Sequence, residues 1–118
     1  MTSKELNLKL IKEFPELTEV YYREVSWQDG DETGSHVVYE DVFVPFIKML
    51  FVENAGDKIK KVFEYIESLF ESEDAYAEEV LSLSVLESLA FSNCNARTFF
   101  VRYAKERTLK ELKEIYSR

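Results

Sequence analysis

The stretch that decides the fold is DKIKKVFEYIESLFES, residues 57–72. Its apolar residues Ile59, Val62, Phe63, Ile66, Leu69 and Phe70 recur at i, i+3, i+4, i+7, i+10 and i+11. That period belongs to an α-helix with one face against a core and the other in water. Asp57 is placed to cap its start, and Ala55–Gly56 reads as the left-handed end of the helix before it.

Reading outward, each neighbouring segment repeats the helical signal. Val38, Val42, Phe43, Phe46, Ile47, Leu50 and Phe51 form a wide apolar stripe in a helix over roughly Val37 to Glu53, with a kink expected at Pro45. Before it lies DGDETGS, residues 29–35, which reads as a loop. Further upstream, Leu6, Leu10, Ile11 and Phe14 share one side of a first helix capped by Ser3. Pro15 breaks that helix and opens the next, where Leu17, Val20, Tyr21 and Trp27 share a period. Downstream, Asp74 is placed to cap a helix whose Val80, Leu81, Leu83, Val85, Leu86, Leu89 and Ala90 surround most of the cylinder, as in a central helix. Asn95 is placed to cap a helix with Phe99, Phe100 and Tyr103, and Thr108 with Glu111 reads as a capping box before Leu112 and Ile115. The expectation is one all-α domain over residues 1–118, with about seven helices in an irregular bundle or a short stack of helix hairpins.

Composition agrees with a globular chain of this size. Of 118 residues, 46% are hydrophobic, while three Gly and two Pro supply little turn chemistry for a sheet. The formal net charge of −8 argues against phosphate backbones and anionic membranes as partners, and suits a cationic protein or plain solubility. Cys94 is the only cysteine, so neither an intrachain disulfide nor a thiolate zinc cluster can form. The first residues lack the apolar run of a secretory leader, and a reducing cytoplasm is the expected location.

Catalytic patterns are sparse. The single His36 excludes a three-histidine zinc site, and no glycine-rich phosphate loop or nucleophile elbow occurs. Cys94 and His36 form the one nucleophile–base combination considered, and a lone cysteine after an apolar helix is ordinarily core filler. No enzyme is expected, and no cofactor. Asp29 to Glu40, DGDETGSHVVYE, has the spacing of a helix–loop–helix calcium loop, with Asp29, Asp31, Thr33, Gly34 and Glu40 at ligand and turn positions. Thr33 is a weak ligand there, and His36 stands where an aliphatic residue supports such loops, so the stretch reads first as an acidic, turn-rich linker with no metal residues assigned. A calcium-responsive protein stays as a third reading, resting on this loop alone. From Arg97 to Arg118, seven basic residues face three acids. The aromatics among them are spaced like core contacts, and these cations are read as answering the protein's own acids rather than nucleic acid.

The acids are the strongest surface signal. Between Lys61 and Arg97 stand Glu64, Glu67, Glu71, Glu73, Asp74, Glu78, Glu79 and Glu87, with no Lys or Arg among them. On helical spacing Glu64, Glu67 and Glu71 lie opposite the apolar stripe, with Glu73, Asp74, Glu78 and Glu79 at the following turn. Glu87 alone falls in an apolar face and needs a partner such as Arg97 or Arg102. This anionic surface reads either as a solvated face or as a docking site for a basic protein, where close charge pairs couple by roughly 1.5–7 kcal/mol. A second patch is Trp27 with Asp29, Asp31 and Glu32, an aromatic anchor beside charges.

VYEDVFVPFIKMLF, KIKKVFEYIESLFES and LSVLESLAFS together resemble small all-helical bacterial immunity proteins of polymorphic and contact-dependent toxin systems. The resemblance runs from Val38 to Tyr103 and rests on the spacing of apolar and Glu residues. It implies a cytoplasmic protein that binds and neutralises a cognate toxin domain, with no catalytic residues to carry over. A basic nuclease-type toxin would suit the acidic face. The alternative is a helical adaptor that binds a partner unrelated to toxins.

Overall fold

The computed structural model describes all 118 residues, folded as seven helices without strands. α1 is Ser3–Glu13, α2 is Thr18–Val25, α3 spans 35–53, α4 is Gly56–Glu71, α5 spans 75–90, α6 is Ala96–Tyr103 and α7 is Glu106–Tyr116. A 3₁₀ turn at Pro15–Leu17 joins α1 to α2, and another at Gly30–Glu32 lies in the long connection to α3. The molecule measures 35 × 31 × 22 Å.

Thirty-two buried hydrophobic residues form one cluster. Each member of the α3 and α4 stripes read from the sequence lies in it, from Val38 to Phe51 and from Ile59 to Phe70. α5 is central, with Val80, Leu81, Val85, Leu86 and Leu89 fully enclosed. Phe14, from the end of α1, meets the rings of Phe43, Phe46 and Tyr65 at 5.5–5.7 Å. Tyr39 and Tyr65 share a 2.8 Å hydrogen bond inside this cluster, and the Tyr39 hydroxyl donates to the Leu6 carbonyl.

Two helices carry π-helical segments. In α3 the turn at Tyr39–Phe43 is widened, the Val44 N–H reaching back to the Tyr39 carbonyl. Pro45, which has no N–H to offer the ladder, follows at once, so the irregularity expected at the proline is a widened turn just before it. In α5 the segment Val80–Leu86 is widened in the same way, and the two π segments pack against each other.

Several helix ends differ from the sequence expectation. Thr2, not Ser3, caps α1, in a reciprocal capping box with Glu5. The left-handed residue ending α3 is Asn54, with φ 52°, and Gly56 instead begins α4. Ala55 occupies the cap of α4, so Asp57 sits in its first turn, where its charge still favours the helix dipole. Asp74 does cap α5, accepting from the Ala77 N–H at 2.9 Å. Asn95 precedes α6 in a left-handed conformation without a side-chain cap. Thr108 forms no capping box: it lies inside α7, which starts two residues earlier.

Candidate protein-binding surface

The acidic tract divides once the chain folds. Glu67 leaves the surface altogether, only 7% exposed. One of its carboxylate oxygens accepts from the Thr108 N–H and hydroxyl at 3.0 and 2.9 Å, and the other from the Arg107 N–H at 3.0 Å. A helix start leaves orphan N–H groups, and α7 has theirs satisfied by a carboxylate from α4 rather than by its own sequence. Glu67 is therefore structural and forms no part of an exposed docking face, contrary to the sequence expectation. Helical spacing put it opposite the stripe, where α7 now covers it.

The C-terminal cations meet much of what remains. Lys105 lies 3.7 Å from Glu64 and Arg107 3.9 Å from Glu78, while His36 of α3 lies 3.5 Å from Glu79. Asp74 contacts the Met1 amino group as well as capping α5, and both interactions hold its carboxyl below the ordinary carboxylate range. Glu87 pairs with Arg118 at 2.6 Å rather than with Arg97 or Arg102. Of the seven acids assigned to the face, only Glu71 and Glu73 project without a hydrogen-bond or ion-pair partner. The tract has no basic neighbours in sequence, yet has them in space.

The second patch is stronger than its sequence signal. α2 ends at Val25, so Trp27 falls off the helical period and stands 72% exposed. A depression of about 200 Å³ lies beside it, lined by Val20, Arg23, Glu24, Trp27 and Asp41. Val20 and Asp41 also line a larger hollow of about 370 Å³ that runs between α2 and α3 to Met49 and Lys58. The floor is apolar, from Leu17, Val42, Pro45 and Phe46. Arg23 is engaged by Glu19 at 3.3 Å and Lys58 by Glu16 at 3.2 Å, whereas Glu24 and Asp41 have no cation partner. The groove is thus apolar below and negative at the rim.

The three loop acids assigned to this patch separate. Asp29 and Glu32 are exposed at the turn. Asp31 accepts from the Tyr21 hydroxyl at 2.7 Å, and its carbonyl accepts from Asn7, so it fastens the loop to α1 and α2. Burial and the Asp31 carboxylate together push the Tyr21 hydroxyl pKa upward. Sequence spacing placed Val20 in the apolar stripe of α2 with Leu17 and Tyr21, yet it is exposed; Glu24, Asp41 and Met49 were not singled out from sequence. The signal available was an apolar Met49 on a helix face turned away from the buried stripe of α3.

The residues spaced like a calcium loop do not assemble as one. The Thr33 hydroxyl is turned inward, donating to the Gly30 carbonyl and accepting from the Asp29 N–H. The positive φ belongs to Gly30 rather than Gly34, and helix α3 begins at Ser35, inside the stretch. Nowhere do three His, Cys, Asp or Glu side chains converge.

Cys94 donates weakly to the Leu89 carbonyl at 3.5 Å, and His36 has other partners. His36 Nδ1 lies 2.6 Å from Ser84 Oγ, and its Nε2 faces Glu79. A serine, a histidine and a carboxylate in that order have the composition of a nucleophilic triad. Ser84, however, sits on the π segment of α5 at 5% exposure. The contact ties α3 to α5.

Residues 7–118 match the family described as a domain of unknown function, DUF7674, and the chain belongs to that family. None of the curated proteins and no solved structure matches it. No helix is long and apolar enough to cross a membrane.

Proposed function

We propose that this DUF7674 member is a non-enzymatic protein-binding domain of the immunity type, and that it neutralises a basic toxin domain in the cytoplasm. The observation that carries the binding reading is Trp27. A tryptophan 72% exposed beside an apolar groove is the side chain most expected to anchor an interface. The unpaired Glu24 and Asp41 give that groove the sign that attracts a cationic partner, and the −8 net charge steers the encounter. Glu71 and Glu73 remain as a lesser acidic contact. The immunity part of the reading is supported by the spacing of apolar and Glu residues over Val38–Tyr103 described above.

The test uses the whole chain as bait in lysate of its source organism, at low and high salt, beside the Trp27→Ala and Asp41→Lys variants. The expected result is a basic protein retained by the wild type at low salt, released by salt and lost from both variants. Retention by both variants removes this face from the interface. The captured gene is then expressed alone and with this chain: growth arrest relieved by co-expression supports immunity. A captured partner with no effect on growth replaces the toxin by an ordinary partner and favours the helical adaptor.

A further inference from the structure

A second groove lies between α6 and α7 and has the opposite polarity. Arg97, Phe100 and Val101 of α6 face Leu109, Leu112, Lys113 and Tyr116 of α7 across a hollow of about 580 Å³, with Ser117 at its end. Phe100 and Leu112 are buried and form the floor, while Leu109 and the 76% exposed Val101 form the walls. Phe91, 64% exposed, extends the apolar surface by packing edge-on against Tyr116 at 6.3 Å. Leu109 belongs by sequence spacing to the inward face of α7, yet it stays 37% exposed at this groove.

The charges at this groove lack partners within the chain. Arg97 rests over the Tyr116 ring at 4.3 Å, and neither Arg97 nor Lys113 forms an ion pair. Most of the 15 Lys and Arg likewise lack a carboxylate partner, but these two line an apolar hollow whose lining carries no acid. The stacked guanidinium keeps its N–H edges free for an incoming carboxylate. The lining on α7 recurs at Leu109, Leu112, Lys113 and Tyr116, a span of about 10 Å at 1.5 Å per residue. Two turns of a docked helix cover that length, with apolar anchors at i, i+3 or i+4, and i+7.

We propose that the α6–α7 groove binds an amphipathic helix of another protein whose apolar stripe is flanked by Asp or Glu. The charge complementarity selects this occupant. A second copy docking symmetrically through the same groove would bring Arg97 and Lys113 toward their own equivalents, a repulsive arrangement. A basic partner of the kind drawn to the Trp27 groove is rejected here for the same reason. The two grooves therefore sort partners by sign, and this site stands independently of the immunity reading.

The experiment displays a library of helices with Leu or Phe fixed at i, i+4 and i+7 and Glu, Gln or Lys randomised at the flanking positions. Selection runs against the full-length protein, with the Val101→Glu variant as counter-target. Val101 is solvent-exposed, so this variant keeps the fold while placing a charge on the groove wall. The expected result is enrichment of Glu at the flanks, loss of binding of tenfold or more in Val101→Glu, and a swing toward Lys-flanked helices in Arg97→Glu/Lys113→Glu. Amide shifts of the bound wild type fall on α6 and α7. Enrichment of neutral or Lys flanks, binding indifferent to Val101→Glu, or no enrichment at all overturns the proposal. A concentration-dependent dimer shifting the same amides also overturns it, in favour of a second copy.

Discussion

Glu67 and Thr108, 41 positions apart, are joined twice: the same carboxylate oxygen accepts from the Thr108 N–H and from its hydroxyl. With the Arg107 N–H on the other oxygen, one α4 side chain supplies the start of α7 with three hydrogen bonds. Replacing Glu67 with Ala strands two backbone N–H groups in a buried setting. A loss of about 2–4 kcal/mol in unfolding free energy is expected. Glu67→Gln keeps one acceptor and is expected to lose about half as much. Urea unfolding of the three proteins measures this, and a Glu67→Ala midpoint equal to wild type would remove the cap from the account.

The Tyr39–Tyr65 hydroxyl pair is expected to contribute to the alkaline limit, alongside Tyr21. Burial, chiefly, raises both tyrosines above their ordinary value of 10.0. A group whose folded pKa is raised holds its proton more tightly in the native state, so its contribution is complete below pH 10 and declines as pH rises from there. Melting temperature is expected to be flat from pH 7 to 9 and to fall above 10. In Tyr39→Phe/Tyr65→Phe the fall is shallower, although the variant starts from lower stability because the Leu6 carbonyl loses its extra donor. An alkaline slope identical in wild type and double variant would show that other groups cause it.

On the acid side, Glu5 and Asp74 carry depressed pKa values, Glu5 through the Thr2 capping box and Asp74 through the Met1 amino group and the Ala77 N–H. Lowered folded values contribute stability above the ordinary carboxylate range that is lost as pH falls through them. Asp74→Ala is expected to melt lower than wild type at pH 7 and to converge on it toward pH 2. Curves that remain parallel down to pH 2 would count against this assignment.

Glu73 adopts φ 57° at the end of α4 with its side chain in solvent. A left-handed conformation costs an L-residue about 1–2 kcal/mol and a glycine almost nothing. Glu73→Gly is expected to gain about 0.5–1 kcal/mol, after allowing for glycine's greater freedom in the unfolded chain. Thermal and urea unfolding should agree on the sign. A destabilised variant would mean the Glu73 side chain contributes something its exposure does not reveal.

Trp27→Ala separates binding from folding. The exposed indole contributes little to the core, so stability is expected to stay within about 0.5 kcal/mol of wild type. A larger loss would assign Trp27 to the fold and weaken its use as an interface anchor.

The helices were legible because a 3.6-residue period in apolar side chains is a local property, and a long stripe such as Ile59 to Phe70 leaves no alternative. The same locality explains the misplaced ends. Thr108 and Glu111 have capping-box spacing, but Glu111 accepts from Ser82 at 2.8 Å, and Thr108 is taken by a residue in another helix. Whether Asn54 or Gly56 turns left-handed is likewise decided by how α3 meets α4, and Gly56 lies where a Cβ would come a tight 3.1 Å from the Tyr103 hydroxyl.

The sequence by itself determined an all-helical domain, the core stripes of α3 and α4, and a chain rich in unanswered acids. Only the tertiary structure decided which acids are answered. Charge pairing acts over a few ångströms of space and takes no account of chain distance. Thus Lys105 and Arg107 meet Glu64 and Glu78, and Glu67 disappears beneath α7. The exposed grooves were decided in the same way. Val20, Leu109 and Val101 carry no local mark distinguishing a core residue from a surface one. What leaves them open is which helix packs beside them, and on these two faces none does.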